Sequence, residues 1–423
     1  MKHARPLALL AAVAVMLVLA VSSTVAAGAQ PGHSQPPPPP PPTPFTTPNT
    51  DGCPFATAPP PVFDASEVPQ PGQPAPLPLP RPASPLGGPQ LGRCGVITST
   101  GSPPVPPGLS SAAWLVADLD TGKVLTAKDP HGLHRPASTL KLLTAAVVLD
   151  RLPLDEVITG TQADADTEGS SVGVGPGGRY TVRELLLGLL MESGNDAAHA
   201  LAMRMGGEAA TVQAMNTLAA SLGALDTRAV TPSGLDGPGM STSAYDLALI
   251  FRHDIANPTF AQLTATRTML FPGFGGNPPF LIANQDLLLD DYPGAIGGKN
   301  GFTDDARQTY VGAAQRGSRR LVVTLMAGER LPLTPERQAM ALLDYGFALP
   351  PTTNIGGLVA PGTPRPSVSV TAAAPLDRQP ANAASAPASP GGGVGPLATL
   401  AVGVIVLLCL VGAVWRARRL RRG

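Results

Sequence analysis

The distribution of proline most constrains what this chain can fold into, because proline disrupts helix interiors and the central strands of sheets. Prolines dominate residues 30–108, with seven in a row at 36–42, and return with Ala, Ser and Gly in residues 350–396. Neither segment has the composition of a packed core. The sequence therefore predicts a disordered segment over 30–108, a flexible linker over 350–396 and one folded domain over about 109–349.

The two ends of the chain have apolar runs that are typical of secretion and membrane anchoring. Residues 1–29 combine a basic start, an apolar run and small residues, which predicts a secretory signal peptide, with an uncleaved anchor as the alternative. Residues 397–415 carry no charge and are long enough to span a bilayer. The arginine-rich residues 416–423 predict a cytoplasmic tail. We therefore expect a single-pass protein of the cell membrane with its folded domain outside the cytoplasm.

Charge and cysteine patterns limit the function classes further. The chain has 29 basic and 29 acidic residues, so the C-terminal arginines do not indicate nucleic-acid binding. Cys53 and Cys94 can pair outside the cytoplasm, remain free or bridge to other chains. No histidine or cysteine stands at a metal-ligand spacing, so no metal is expected. The G-x-G-x-x-G pattern at residues 173–178 is interrupted by a proline and follows no apolar strand, which favours a turn over a dinucleotide site.

The pattern at Ser138 and Lys141 has the spacing of neighbours on one helix face. The apolar run that follows predicts a buried helix, and Pro136 suits its first turn. A serine becomes a nucleophile when a base takes its proton, and a lysine can be that base when burial or positive charge lowers its pKa. Because the four-residue pattern is common, a capping serine and an exposed lysine are the alternative at this point.

The rest of the domain is predicted to contain both helices and strands. Paired strands are predicted at 114–119 with 123–127 and at 310–314 with 321–325. Helices are predicted after the capping pattern at Thr181, over 196–205, after the capping pattern at Ser243, and over 339–345. Strands at both ends with helices between them predict a sheet assembled from distant parts and a helical insert.

Two further motifs lie downstream. Ser193 and Asn195 flank a glycine between two helical runs, where a hydroxyl can relay a proton and an amide can bind a peptide group. Lys299 precedes Asn300 and Gly301 just before the last strands, and glycine on a strand lets a ligand lie along the backbone. The lysine would also attract a carboxylate.

In this order, S-x-x-K, S-x-N and K-x-G are the signature of penicillin-recognising serine enzymes. Over residues 110–348 the sequence resembles the D-alanyl-D-alanine carboxypeptidases, the low-molecular-mass penicillin-binding proteins, and the likeness extends to residues 193–198, 232–235 and 298–304. The proline-rich segment and arginine-flanked anchor resemble those of actinobacterial members. The resemblance implies an α/β (α+β) transpeptidase-like fold, in which an antiparallel sheet packs with helices beside a helical subdomain.

The resemblance also implies a role for each motif residue. Ser138 corresponds to the acylated nucleophile, Lys141 to its base and Ser193 to the proton relay. It implies substrate-binding roles for Asn195, Lys299, Asn300, Gly301, Phe302 and Thr303. The oxyanion hole would use the backbone N–H groups of Ser138 and Phe302, and no cofactor is implied.

The implied reaction removes the terminal D-alanine from peptidoglycan stem peptides through an acyl-enzyme, with β-lactam antibiotics as covalent inhibitors. Asn300 departs from the family pattern, which usually has Thr or Ser there to donate to the substrate carboxylate. We therefore expect reduced or altered carboxypeptidase activity with penicillin binding retained.

Three alternatives stay open on the sequence alone. A β-lactamase shares the first motif, but it normally has aspartate where Gly194 stands and uses a deacylating glutamate. An endopeptidase acting on cross-links would use the same residues as a carboxypeptidase. A non-catalytic wall-binding protein would carry a site weakened at Asn300.

Overall fold

The computed structural model describes residues 48–363, and the fold is centred on an antiparallel sheet. The predicted signal peptide, membrane span and tail lie outside the described residues. The strands are β1 Val96–Ile97, β2 Ala113–Asp118, β3 Lys123–Lys128, β4 Val157–Thr159, β5 Arg179–Thr181, β6 Thr268–Phe271, β7 Phe280–Ala283, β8 Ala295–Thr303, β9 Arg307–Arg316, β10 Arg319–Gly328 and β11 Gly356–Gly357. The central sheet has the order β1-β3-β2-β10-β9-β8, and β11 pairs with β3.

Helices fill the long connection between β3 and β8 and close the domain after β10. They are α1 Lys141–Arg151, α2 Gln162–Ala165, α3 Val182–Met191, α4 Asn195–Arg204, α5 Glu208–Leu222, α6 Ala244–Asp254, α7 Pro258–Thr264, α8 Leu287–Asp291 and α9 Pro335–Ala348. The capping box at Thr181 forms as its sequence indicates, with the side chains of Thr181 and Glu184 bonded to each other's backbone N–H groups.

The sheet is covered on both faces, which explains why every residue of β2 is buried. Trp114 and Val116 pack with α9 on one face, whereas Leu115 and Ala117 belong to the larger core around α1 and α6. The α/β class expected from the sequence is therefore confirmed, with the helical insert packed beside the sheet. Strand β8 is the last strand on one side of this sheet and lies against the turn that precedes α1.

Residues 48–108 differ from the expectation of disorder. Cys53 and Cys94 form a disulfide that closes a loop with a sequence separation of 41. The Lys128 ammonium donates to the Pro48 carbonyl at 2.7 Å, and the Leu133 N–H donates to the Phe55 carbonyl at 2.9 Å. The prediction was wrong here because donors on the domain satisfy the carbonyls of the proline-rich segment, which composition cannot reveal. We call residues 48–95 the N-terminal arm.

The folded part also extends beyond residue 349 into the predicted linker. Strand β11 pairs with β3, Ile355 and Leu358 are buried, and the Tyr245 hydroxyl donates to the Gly357 carbonyl at 2.9 Å. The linker prediction is therefore wrong for residues 350–363, whereas residues 364–396 lie outside the described part. Within residues 48–363, the helices are too short or too polar to cross a bilayer.

Candidate active site

Ser138 lies on a tight turn that leads directly into α1. The turn is a short 3₁₀ helix, Ala137–Leu140. Ala137 has a left-handed backbone with φ 47°, a conformation that costs a non-glycine residue about 1–3 kcal/mol. The Thr309 hydroxyl on β9 holds the turn by donating to the Pro136 carbonyl at 2.8 Å. Ser138 is therefore presented on a constrained corner at the wall of a cleft.

The Lys141 amine is fully buried one helical turn from Ser138. Its Nζ lies 2.8 Å from Ser138 Oγ, 2.7 Å from Asn195 Oδ1 and 2.7 Å from the Ser233 carbonyl oxygen. Burial, and then the charge of Lys299, hold the pKa of Lys141 well below its usual range. A neutral amine has two N–H donors and one lone pair. When the amine is neutral and both donors are directed at the Asn195 and Ser233 oxygens, the lone pair faces the Ser138 hydroxyl and can accept its proton.

The second motif contributes one residue to the cleft and one to the buried support of Lys141. Ser193 lines the cleft and has a left-handed backbone with φ 61°. Asn195 begins α4 and is only 3% exposed. Its Oδ1 accepts from Lys141, and its Nδ2 donates to the Glu168 carbonyl at 2.7 Å. Asn195 thus orients the lysine in this structure, whereas the resemblance implies that it binds the substrate.

The loop before β5 is held by the carboxylate of Asp196. The Asp196 Oδ2 accepts the backbone N–H groups of Gly173 at 2.7 Å and Val174 at 2.8 Å, and the Ser171 hydroxyl at 2.6 Å. This is the segment that fits G-x-G-x-x-G, and it leads into a strand rather than a helix. Its N–H groups therefore bind an internal carboxylate, which agrees with the interpretation of the pattern as a turn.

Lys299 stands on the edge strand β8 and is 1% exposed. Its ammonium donates to the Asn300 carbonyl at 2.8 Å and to Asn300 Oδ1 at 3.0 Å. Burial lowers the pKa of Lys299 to about 7, although the carboxylates of Asp286 and Glu192 favour its charged form. One N–H group of Lys299 is therefore bonded to the side chain of Asn300, and Asn300 also lines the cleft.

A buried carboxylate supports β8 from behind. Asp286 Oδ1 accepts the Tyr310 hydroxyl at 2.7 Å, and burial raises the pKa of Asp286 to about 6. A Cβ on Gly298 would lie 2.7 Å from Asp286 Oδ2, so only glycine allows the carboxylate this close to the strand. The sequence carries no signal for Asp286, because its role depends on a contact between distant segments.

The cleft has a volume of about 780 Å³ and lies between the Ser138 turn and β8. A Cβ on Gly301 would lie 2.7 Å from the Ser138 nitrogen. The backbone of β8 therefore touches the turn Ala137–Leu140 there, which we call the nucleophile turn. Phe302 is 51% exposed at the rim. Thr303 lies outside the cleft lining, where its hydroxyl accepts the Ala306 N–H at 2.9 Å.

Part of the cleft wall consists of residues that belong to none of the three motifs. The lining residues that no motif indicated are Ser170, Gln285, Arg307, Gln308, Glu329, Arg330 and Leu331. They come from loops and strand ends that meet only in the folded chain, so no local pattern marks them. Within residues 48–363, no cluster of three or more His, Cys, Asp or Glu side chains could hold a metal ion.

The arrangement suits acyl transfer. It brings two serines to one cleft, with a buried amine of lowered pKa within hydrogen-bond distance of the first serine and a second buried lysine on the strand at the cleft edge. Such a set can deprotonate a hydroxyl, hold a negatively charged ligand terminus and protonate a leaving group.

Comparison with known proteins agrees with this chemistry. The model of a family described as D-alanyl-D-alanine carboxypeptidase matches residues 99–329. The D-alanyl-D-alanine carboxypeptidase DacB2 of Mycobacterium tuberculosis is 52% identical over 267 residues, which cover 62% of this chain and 90% of that protein. A D-alanyl-D-alanine endopeptidase of Pseudomonas aeruginosa is 36% identical over 211 residues, 48% of this chain and 66% of that protein.

Solved structures show the same fold. A D-alanyl-D-alanine carboxypeptidase from M. tuberculosis aligns with a TM-score of 0.58 and 50% identity, covering 62% of this chain and all of that one. A mutant of a Streptomyces DD-transpeptidase aligns with a TM-score of 0.55 and 30% identity, over 58% of this chain.

Proposed function

We propose a residue-level mechanism from the premise that this chain belongs to the D-alanyl-D-alanine carboxypeptidase family, a family of serine peptidases. Ser138 attacks the carbonyl carbon of the last peptide bond of a peptidoglycan stem peptide ending in D-Ala-D-Ala. Lys141 takes the hydroxyl proton as the Ser138 oxygen forms its bond to carbon. The observation that carries the proposal is the 2.8 Å contact between the buried Lys141 Nζ and Ser138 Oγ.

The negative charge that develops on the carbonyl oxygen needs nearby donors. The backbone N–H groups of Ser138 and Phe302 are suited to this, because Gly301 lets β8 approach the nucleophile turn without a side chain between them. Lys299 supplies positive charge at the strand edge for the terminal carboxylate of the substrate.

Breakdown of the tetrahedral intermediate breaks the C–N bond and releases D-alanine. The departing nitrogen needs a proton, and the hydroxyl of Ser193, which lines the same cleft, can relay it from Lys141. Water then hydrolyses the ester on Ser138, with Lys141 again as the base. A β-lactam would acylate Ser138 in the same way, with the C–N bond of its ring as the bond that breaks, but the released amine stays attached to the acyl group and cannot diffuse away.

We also propose that the domain works outside the cytoplasm and is tethered to the membrane by residues 397–415. The disulfide between Cys53 and Cys94 supports an oxidising compartment. The apolar, uncharged composition of residues 397–415 supports the tether. Cell fractionation of the full chain and of a form ending at residue 363 tests this. Equal recovery of both forms in the membrane fraction would contradict the tether.

The experiment that tests the enzymatic proposal is the release of free D-alanine from a D-Ala-D-Ala pentapeptide stem by the purified protein. We expect the wild type to release one D-alanine for each peptide and Ser138→Ala to release none above background. Equal release by Ser138→Ala would overturn the assignment of the nucleophile. Cleavage of cross-linked dimers without release from pentapeptide would favour an endopeptidase.

A further inference from the structure

The N-terminal arm makes its tightest polar contacts next to the nucleophile turn. Arg135 precedes Ser138 by three residues, and its side chain is 3% exposed. The Arg135 guanidinium forms a bidentate ion pair with the Glu67 carboxylate. Its Nε donates to Oε1, and its Nη2 donates to Oε2 at 3.0 Å. Its Nη1 donates to the Pro60 carbonyl at 2.8 Å. Within residues 48–363, every hydrogen bond of this side chain therefore goes to the arm.

The same part of the arm also binds the strand that carries the third motif. Asp305 lies in the turn that connects β8 to β9 and is 7% exposed. Its carboxylate accepts the Phe63 N–H and, at 3.1 Å, the Ser66 hydroxyl. Residues 60–67 thus bridge the segment before Ser138 and the end of β8. Each contact lies three residues from a backbone N–H group, that of Ser138 or that of Phe302, that would form the oxyanion hole.

The bridged segment is one that requires external support. The left-handed backbone at Ala137 is unfavourable for alanine, and such conformations persist only where the surroundings determine them. On the domain side, Thr309 holds the Pro136 carbonyl, and the Ala137 carbonyl is packed so closely that a Cβ on Gly234 would lie 2.0 Å from it. The arm adds the ion pair of Arg135 with Glu67 to this support.

We propose that Glu67 is a positioning residue for Ser138, acting through Arg135. The ion pair fixes the guanidinium and with it the backbone that presents the nucleophile, although the carboxylate of Asp236 also lies within electrostatic reach of Arg135. Loss of the Glu67 charge leaves the buried guanidinium without its bonded counter-charge, and the attraction of the Asp236 carboxylate then draws Arg135 toward that residue. A displacement of about 1 Å in a reacting group can lower a rate by about a hundredfold.

The test is Glu67→Gln, which preserves the shape of the side chain and removes its charge. The matched control is Asp64→Asn on the same arm, because Asp64 is exposed and, among residues 48–363, its carboxylate accepts hydrogen bonds from Ser66 alone. Active sites are titrated with a fluorescent penicillin, and kcat for D-alanine release is expressed for each titrated site. This normalisation removes any effect of a smaller folded fraction.

We expect Glu67→Gln to lower kcat for each titrated site about ten- to a hundredfold, with KM within about twofold of wild type and Asp64→Asn unchanged. A kcat equal to that of the wild type, or a change in KM alone, would overturn the proposal. In a variant that already carries Arg135→Ala, the further change Glu67→Gln should have no effect on kcat. An equal loss in both backgrounds would show that Glu67 does not act through Arg135.

The inference rests on the proposed function, but the two fail in different ways. If the wild type releases no D-alanine and is not labelled by penicillin, the proposed function is wrong. If the wild type is active and Glu67→Gln matches it, only the role of the arm is wrong.

Discussion

Asn300 gives the most discriminating prediction about catalytic efficiency. In the structure its Oδ1 accepts a hydrogen bond from the Lys299 ammonium at 3.0 Å, so the side chain competes with a substrate carboxylate for the same donor. Asn300→Thr removes this acceptor and adds a hydroxyl close to the strand backbone. A hydrogen bond to a charged group contributes about 1.5–3 kcal/mol. At about 1.4 kcal/mol for each factor of ten, this corresponds to roughly a 10- to 150-fold change.

We therefore expect Asn300→Thr to raise kcat/KM for D-alanine release from a D-Ala-D-Ala peptide by about ten- to a hundredfold. The assay is steady-state release of free D-alanine over a range of peptide concentrations, with active sites titrated by penicillin. Asn300→Ala is the control, because it frees Lys299 without adding a hydroxyl and should give a smaller gain. An unchanged or lower kcat/KM for Asn300→Thr would refute the argument that Asn300 limits the site.

Further predictions concern pH, stability and the disulfide. Burial lowers the pKa of Lys299 to about 7, so its positive charge should be lost as the pH rises through 7. The substrate carboxylate should then bind more weakly, and KM should rise. Asp286→Asn removes a negative charge that favours protonation of Lys299, so this rise in KM should occur at lower pH. Asp196→Ala leaves several buried N–H groups without an acceptor. It should therefore lower the free energy of unfolding, measured by urea titration, by about 3–5 kcal/mol. A loss of under about 1 kcal/mol would contradict the structural role of Asp196. Replacing Cys53 and Cys94 by serine should lower the free energy of unfolding by up to roughly 4 kcal/mol for a loop of this length, and equal stability with and without reductant would contradict this.

Local patterns predicted the parts of the site that depend on short sequence distances. The spacing of Ser138 and Lys141 indicates neighbours on one helical turn, and their reactive atoms lie 2.8 Å apart. The capping patterns at Thr181 and Ser243 start helices where the sequence indicates them. These features follow from backbone geometry over three or four residues and need no tertiary information.

Features that depend on long-range contacts could not be predicted. The Asn195 amide bonds to Lys141 and to the Glu168 carbonyl, and neither contact is visible in the spacing of its motif, whereas its substrate-binding role stays a prediction. The order of the N-terminal arm was missed for a related reason. Its proline content suggested disorder, because composition does not show which donors a segment will meet. In the folded protein its carbonyl groups accept hydrogen bonds from Lys128 and Arg135, which belong to the domain.

The central claim is that Ser138 is the residue that becomes acylated, with Lys141 as its base. The most direct test is mass spectrometry of the full chain after incubation with a penicillin, followed by proteolysis to locate the adduct. The mechanism predicts one penicilloyl group for each molecule, on the peptide that contains Ser138, and no adduct in Ser138→Ala. An adduct on any other residue, or none on the folded wild-type protein, would contradict it.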